Sequence, residues 1–456
     1  MFTKKNIPNL YYLFLFLHLF LWTIVPSVSN VNLPLDTIEA LAWGSELKWG
    51  YDKHPPLSAF IVQLFYFTFG SLDWTYYLLS QIFVIFSFVY VWKLSIEIFQ
   101  DKIFSFISLI VLESIYFFNY TTPEFNVNIC QLPFWALTVF YFWKGLETNK
   151  LKHWALFGIF SSLGLLSKYL FIYLLISTLI FLIINFKKNK KYFKNYFISI
   201  LISFLITLPH FFWLIQNDFS TIVYALNRSN LIEVDLINHL INPLKFLLKQ
   251  FGILVPLFIM FMFLTSKFNL KINKDKKTTF LIIICFAPVL LMLVTSIVTG
   301  AQIRTMWMTP FYLFFGTLFT LILKKNIIFD NLKKFSILFL IFFFASPIIY
   351  LTVSLVDNSK RTDYPGKEIS RLVQNKWDEN FRNEIKIVVG DEWYAGNLSY
   401  HLDSRPKWTS NLSKLNKNKK DEDGVIYTGN PQILKKICPG EFGTIKPVGY
   451  CMIGVR

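Results

Sequence analysis

The chain is 456 residues long, and its composition is that of a membrane protein. Apolar residues make up 54% of it and aromatic residues 19%, and its mean hydropathy is +0.47, whereas soluble globular chains are about 45–50% apolar. These values exclude a soluble enzyme, a disordered chain and a disulfide scaffold. The net charge of +17 would suggest nucleic-acid binding in a soluble protein. Basic cytoplasmic loops explain it in a membrane protein, so we expect no nucleic-acid partner.

Apolar runs long enough to cross a bilayer recur along the chain. A helix needs about 20 residues to span the hydrocarbon core. The runs that we predict as single spans are residues 9–28, 75–97, 103–118, 125–143, 196–215, 248–265, 279–298, 307–323 and 335–355. Residues 153–186 begin and end at basic loops, so we expect them to cross twice, with Ser167 and Lys168 at the turn. The total is about eleven transmembrane helices, and the apolar run 57–70 is left as an interfacial helix.

The distribution of lysine sets the predicted orientation. By the positive-inside rule, basic loops face the cytoplasm. The lysines that define these loops are Lys4, Lys5, Lys144, Lys150, Lys152, Lys187, Lys188, Lys190, Lys191, Lys194, Lys267, Lys271, Lys274, Lys276, Lys277, Lys324, Lys325, Lys333 and Lys334. The N-terminus is therefore predicted to be cytoplasmic. The acidic loop 29–56 and the tail from Asp357 onward are predicted to face outward, at the end of a transmembrane domain of residues 1–356.

Residues 357–456 are predicted to form a small soluble domain outside the membrane. The apolar runs end there, and Gly, Pro, Asp and Asn become frequent. The predicted elements are strands 385–390 and 425–428 and helices 366–377 and 431–436, which together indicate an α/β module. Cys438 and Cys451 both lie in this domain. In an oxidising compartment they would form a disulfide, and two free thiols are the alternative.

The first outward loop carries the densest group of polar and aromatic residues. Asp36 and Glu39 are three residues apart, so they share one face of a helix, and Trp43 follows one turn later. Two carboxylates beside an indole suit the binding of a hydroxylated substrate and the abstraction of a proton from it. The structural alternative is a helix start, in which Asp36 is the N-cap and Glu39 the matching third residue.

The same loop ends in Lys53, His54, Pro55 and Pro56. Proline fixes its own φ and restricts the residue before it, so this segment would hold a cation at a set height above the bilayer. An anionic lipid phosphate is the natural partner at that depth. A plain loop with Lys53 reaching to the membrane surface is the structural alternative.

Two motifs in this loop resemble a known family. Leu35-Asp36-Thr37-Ile38-Glu39-Ala40-Leu41-Ala42-Trp43-Gly44, followed by Trp49-Gly50-Tyr51-Asp52-Lys53-His54-Pro55-Pro56-Leu57, is similar to the bacterial branch of the polytopic glycosyltransferases. That superfamily includes the protein O-mannosyltransferases and the lipid A aminoarabinose transferase. Weaker resemblances continue along the whole chain, at residues 120–126, 165–169, 304–307 and 390–397.

The resemblance implies an enzyme that takes a sugar from a polyprenyl monophosphate and passes it to an acceptor, with inversion. Asp36 falls at the family's first-loop aspartate, the candidate general base, and Glu124 falls where many members have a second acid. His54 falls at a phosphate-contacting lysine of the aminoarabinose transferase, so Lys53 and His54 compete for that role. Many relatives have Asp-Glu at the first position. Thr37 stands here instead, which weakens the case for a metal bridged by that pair, and a divalent metal stays open.

The implied chemistry assigns a role to each residue type. The leaving phosphate needs positive charge, and the candidate cations are Lys53, His54, Lys168 and Arg304. The acceptor needs a carboxylate, for which Asp36 is preferred with Glu39 or Glu124 assisting. The candidate substrate-lining residues are Trp43, Tyr51 and Trp307. Structural alternatives stand beside these roles: Lys168 and Arg304 anchor helices at the membrane surface, and Glu124 caps a helix.

The resulting functional hypothesis is an inverting glycosyltransferase of the bacterial inner membrane. Its donor would be an undecaprenyl-phosphate-linked sugar, and its acceptor lipid A or another envelope glycan. Transfer to protein is the alternative within the same superfamily. A transporter or flippase of lipid-linked sugar is the alternative from another class. It would need charged residues at mid-membrane in broken helices, and only the pair of crossings at 153–186 favours it.

Overall fold

The structure is a computed structural model that describes residues 5–184, 186–229, 235–266, 272–357, 359–411, 423–445 and 447–456. Three of the lysines used above to predict orientation, Lys4, Lys267 and Lys271, lie outside these ranges. The α-helices of the first 356 residues are α1 (Ile7–Ser29), α2 (Leu35–Gly44), α3 (Leu57–Phe69), α4 (Asp73–Phe99), α5 (Lys102–Ile110), α6 (Val127–Thr148), α7 (Leu151–Ser167), α8 (Ile172–Ile184), α9 (Phe186–Asn189), α10 (Phe193–Gln216), α11 (Ser220–Arg228), α12 (Asn238–Leu264), α13 (Lys276–Thr299), α14 (Phe315–Leu323) and α15 (Leu332–Val356).

Six helical segments within the described ranges are long and apolar enough to cross a membrane. They are Ile7–Ser29, Asp73–Phe99, Phe186–Gln216, Asn238–Leu264, Lys276–Thr299 and Phe329–Val356. The pair Thr305–Tyr312 and Phe315–Asn326 would make a seventh, although it bends by 53°. The predicted polytopic, multi-pass helical architecture is confirmed. The predicted count of about eleven spans is not confirmed, because several predicted spans are short or interrupted.

The helical breaks fall at defined residues. The predicted span 103–118 is a helix only to Ile110 and continues as 3₁₀ turns over Val111–Ser114 and Tyr116–Phe118. In the first of these turns the buried side chain of Glu113 accepts a hydrogen bond from His18 Nδ1 at 2.5 Å. The predicted turn at Lys168 is confirmed, because α7 ends at Ser167 and Lys168 is extended.

The tail folds as a small α/β unit, as predicted. Its elements are α16 (Gly366–Asn380), β1 (Ile385–Val389), α17 (Tyr394–His401), β2 (Lys407–Thr409), β3 (Gly424–Gly429), α18 (Pro431–Ile437), β4 (Glu441–Ile445) and β5 (Val448–Ile453). The strand order is β2-β1-β3-β5-β4, with β1 parallel to β2 and β3, and with β5 antiparallel to β3 and β4. Trp377, Val388, Ile426 and Tyr450 belong to its own buried core. Cys438 and Cys451 form a disulfide.

The tail is packed directly on the first outward loop. Helix α17 lies against α2, and a side chain at Gly396 would come within 3.1 Å of Ile38 and 3.2 Å of Ala42. Arg405 donates to the backbone oxygen of Leu41 at 2.6 Å and to Gln63 Oε1 at 3.0 Å. The tail therefore holds the helix that carries Asp36 and Glu39.

Candidate active site

A cavity of about 500 Å³ lies where the first loop meets the break between α7 and α8. Helix α11 and the segment around Arg304 complete its wall. The predicted site residues that line it are Asp36, Glu39, Lys53, His54, Lys168, Arg304 and Trp307. Folding thus brings together seven of the ten residues singled out from the sequence. The other three, Glu124, Trp43 and Tyr51, lie behind or beside this cavity.

Asp36 lies in the first turn of α2 and presents a free carboxylate to the cavity. The N-cap of α2 is Pro34, and Asp36 makes no capping bond, so the capping alternative is wrong. Within the described ranges its carboxylate makes no hydrogen bond, while its backbone N–H donates to Glu124 Oε1 at 3.0 Å. Burial raises the pKa of Asp36, and the positive charges of Lys168 and Lys53 oppose that shift. A carboxylate with a raised pKa and no fixed partner is suited to accept a proton.

Glu39 and Lys53 are paired with each other and with the tail. Lys53 Nζ donates to Glu39 Oε1 at 2.8 Å and lies 3.2 Å from Glu392 Oε1. Burial raises the pKa of Glu39 against the opposing effect of Lys53. Neither group is free in this arrangement. Lys53 shares its charge between two carboxylates, and Glu39 is occupied by an ammonium.

His54 is an imidazole with a lowered pKa whose ring contacts Trp43, which in turn stacks on Tyr51. Burial and the nearby cations Lys168 and Lys53 lower the pKa of His54 to about 3. Trp43, which is 4% exposed, meets the imidazole edge-on at 5.8 Å and stacks on Tyr51 at 5.7 Å. Trp43 and Tyr51 therefore orient His54 and do not line the cavity. A neutral His54 contributes a hydrogen bond and no positive charge.

Lys168 is the most buried cation of the cavity. It is 6% exposed, and its Nζ donates to Asn128 Oδ1 at 2.5 Å. The ammonium also lies 5.3 Å from the ring centroid of Trp307. Burial lowers the pKa of Lys168 to about 7, and the negative charge of Asp36 opposes that shift. Both contact partners are uncharged, so an anion in the cavity would stabilise the charged form of Lys168. The membrane-anchor alternative does not fit a side chain that points into a cavity.

Three arginines contribute to the cavity wall, and two of them were not predicted. Arg228 at the end of α11 and Arg361 at the start of the tail join Arg304 there. The chain has just seven arginines, and all seven follow residue 227 in segments predicted to face outward, whereas the predicted cytoplasmic loops use lysine. This uneven distribution was the sequence feature that could have identified Arg228 and Arg361 as candidate site residues, because arginine is the preferred partner of phosphate oxygens.

Glu124 lies on the far side of Asp36, against a second cavity of about 340 Å³. Leu35 and Arg361 line both cavities, so they form the wall between them. Burial, followed by the negative charge of Asp36, raises the pKa of Glu124 to about 8. The shift favours the protonated form of Glu124. Its observed contact is with the backbone of α2, and it does not cap the helix that follows it, because that N-cap is Asn126.

The charges around the first cavity suit a phosphate beside a hydroxyl group. Five basic side chains, Lys53, Lys168, Arg228, Arg304 and Arg361, face two carboxylates, Asp36 and Glu39. Such a cluster stabilises a phosphate that gains charge as it leaves. In the part of the chain that the structure describes, no group of three His, Cys, Asp or Glu side chains is arranged to hold a metal ion.

Comparisons with known proteins give one family match and two fold matches. The profile of the family described as dolichyl-phosphate-mannose-protein mannosyltransferase matches residues 53–213. The structure of ArnT from Cupriavidus metallidurans bound to undecaprenyl phosphate aligns with a TM-score of 0.69 at 10% identity, over 97% of this chain and 98% of that one. The apo structure of the same protein aligns with a TM-score of 0.65 at 9% identity, over the same shares. None of the curated protein sequences matches the chain.

These matches confirm the predicted resemblance to the polytopic glycosyltransferases. The family match covers Lys53, His54, Glu124 and Lys168, while Asp36 and the tail lie outside it. The structural match covers nearly all of the chain and establishes an ArnT-like fold. The structural match includes the tail, where the sequence resemblance to the family at residues 390–397 was weak.

Proposed function

We propose that this protein is an inverting glycosyltransferase that takes a sugar from a polyprenyl monophosphate and passes it to an acceptor of the cell envelope. The observation that carries the proposal is the cavity in which the free carboxylate of Asp36 faces a cluster of basic side chains. The family match supports sugar transfer from a lipid phosphate. The structural neighbour's bound undecaprenyl phosphate supports that lipid as the donor's carrier.

The chemistry is a single displacement at the anomeric carbon. The acceptor oxygen bonds to that carbon while the bond from carbon to the phosphate oxygen breaks, and the electron pair leaves with the polyprenyl monophosphate. The acceptor proton passes to the carboxylate of Asp36. Lys168, Arg228 and Arg304 bind the departing phosphate and stabilise its second negative charge. Holding donor and acceptor on opposite sides of one carbon supplies the orientation that inversion requires.

The remaining side chains hold these groups in place. Glu124, whose raised pKa favours the protonated form, accepts the N–H of Asp36 and fixes the start of α2. His54 offers a neutral hydrogen bond at the cavity wall. Glu39 and Lys53 bind each other, so we assign them to the structure of the site and leave proton transfer to Asp36. The ring face of Trp307 contacts the ammonium group of Lys168.

The acceptor and the membrane orientation extend the same proposal. We propose a lipid or glycan acceptor, such as lipid A, at the outer face of the bacterial inner membrane. The N-terminus would then be cytoplasmic and residues 357–456 periplasmic, where the disulfide of the tail would be stable. Residues 1–356 would form the transmembrane catalytic domain.

The test is transfer of radiolabelled sugar from synthetic undecaprenyl-phosphate donors by the purified protein. Envelope lipids and unfolded envelope proteins are offered as separate acceptors, and Asp36→Asn is compared with the wild type at equal expression. Labelled lipid product that is lost in Asp36→Asn supports the proposal. Label found only in protein would move the acceptor to the protein O-glycosylation class. Movement of labelled donor across vesicles without any transfer would favour a flippase and overturn the proposal.

A further inference from the structure

The loop between β1 and α17 reaches from the tail to the catalytic cavity. It comprises Gly390, Asp391, Glu392 and Trp393, and α17 follows at Tyr394. It follows the carboxyl end of β1, which lies between two parallel neighbours in the sheet. Loops at this edge of a parallel sheet commonly carry binding residues. Nothing in the proposed reaction yet uses this one.

Two side chains of the loop contact basic residues of the cavity wall. Glu392 Oε1 lies 3.2 Å from Lys53 Nζ, and the guanidinium of Arg361 lies 5.9 Å from the ring centroid of Trp393. Lys53 is thus bound by two acids, Glu39 from the first loop and Glu392 from the tail. The three groups together carry one net negative charge, so Lys53 adds no net attraction for an anion.

The loop is held in this position by its own backbone. Gly390 has φ +153, and a side chain there would come within 2.1 Å of Thr428 Oγ1 and 3.0 Å of its backbone oxygen. The carboxylate of Asp391 accepts the N–H groups of Trp393 and Tyr394 at 2.8 and 2.7 Å. The contact between Glu392 and Lys53 is therefore part of a fixed turn and does not depend on a loose surface side chain.

We propose that Glu392 is a positioning residue of the active site that weakens the binding of lipid phosphate by holding Lys53 between two carboxylates. This inference rests on the proposed function. The transfer reaction converts a phosphodiester donor with one negative charge into a phosphomonoester product with nearly two. A cavity lined by five basic side chains would hold the product more tightly than the donor. The acid supplied by the tail offsets part of that attraction and so favours product release.

The experiment measures binding of two probes to the purified full-length protein in detergent at pH 8. The probes are farnesyl phosphate, a dianion, and methyl farnesyl phosphate, a monoanion. We expect Glu392→Gln to bind the dianion about fivefold more tightly and the monoanion about twofold more tightly, because a Coulomb energy doubles with the charge of the ligand. Glu392→Asp should restore most of the wild-type affinity. The matched control is Glu379→Gln, since Glu379 lies on α16 and pairs at 3.4 Å with Lys376.

Each outcome has a distinct meaning. A gain in affinity for Glu392→Gln that is larger for the dianion, and absent in the control, supports the inference. Structural damage to the loop would weaken both probes instead, so equal or weaker binding by Glu392→Gln overturns it. If the wild type binds neither probe, the proposed lipid-phosphate donor fails, and this inference fails with it.

Discussion

Replacing Lys168 by methionine tests the cationic cluster at its most buried member. Its ammonium bonds only to neutral Asn128 Oδ1, and no carboxylate of the described residues lies within 4.0 Å of it. A phosphate oxygen about 4 Å away would gain roughly 4 kcal/mol at an effective dielectric constant of about 20. Loss of water from both groups reduces the net value to about 1.5–3 kcal/mol. We therefore expect Lys168→Met to lower kcat/KM for sugar transfer by about 10- to 150-fold.

The same substitution should raise stability. A charge that is 6% exposed and has no acidic partner costs free energy in the folded state, which methionine of similar length removes. We expect the melting temperature to rise by about 1–3 °C. Loss of activity together with a gain of stability is typical of a residue retained for function.

The assay compares Lys168→Met with Lys168→Arg and the wild type in the radiolabelled transfer reaction, with melting measured on the same samples. Arginine keeps the charge and should retain part of the activity. Methionine with wild-type kcat/KM would refute the role of Lys168 in phosphate binding. Methionine that is both inactive and less stable would mean that Lys168 serves the packing of α7 and α8.

Three further predictions concern other parts of the molecule. Asp36→Asn should lower kcat by about 10²- to 10⁴-fold without weakening farnesyl phosphate binding, because it removes the base and one negative charge and keeps the cations. Weakened binding would contradict that division. Glu124 has a pKa of about 8 in place of 4.5, so the folded state keeps a proton that the unfolded state loses, and stability falls as pH rises from about 4.5 to 8. Glu124→Gln should therefore gain melting temperature relative to the wild type over that pH range, and a constant difference would refute the assignment. Replacing Cys438 and Cys451 by serine should destabilise the tail by about 3 kcal/mol, since the disulfide closes a loop with a separation of 13 residues. Hydrogen exchange in β4 and β5 should then accelerate. Unchanged exchange would contradict a stabilising role of the disulfide.

The first loop shows how far the sequence alone could reach. Asp36 and Glu39 share α2, and Lys53 and His54 lie in the same outward loop, so their positions in the sequence were enough to predict one common site. The charge states were not predictable in the same way. Burial, and after it the charge of Lys168, lowers the pKa of His54. Lys53 is doubly paired because Glu392 approaches it in the folded chain.

The breaks in the helices and the arginine cluster show where sequence patterns fail. A hydropathy window does not detect that the α-helix stops at Ile110 and gives way to 3₁₀ turns, so 103–118 was predicted as one span. Arg361 gave no periodic signal, because it lies in a short 3₁₀ turn beyond the last long helix. Two of the tail's strands, β1 and β3, and two of its helices, α16 and α18, were predicted from sequence, whereas α17, β2, β4 and β5 were not. The docking of the tail on α2 depends on surface complementarity around Gly396, which no local pattern expresses.

The order in which the site residues are synthesised has a consequence for biogenesis. Asp36 leaves the ribosome early, Lys168 and Arg304 follow with later helices, and Arg361 and Glu392 come after the last long helix. The cavity wall is therefore complete only when residues 357–456 have folded against the first loop. A chain whose tail has not yet folded holds Asp36 without Arg361 and Glu392. Assembly of the site is thereby tied to the folding of the last part of the chain to be made.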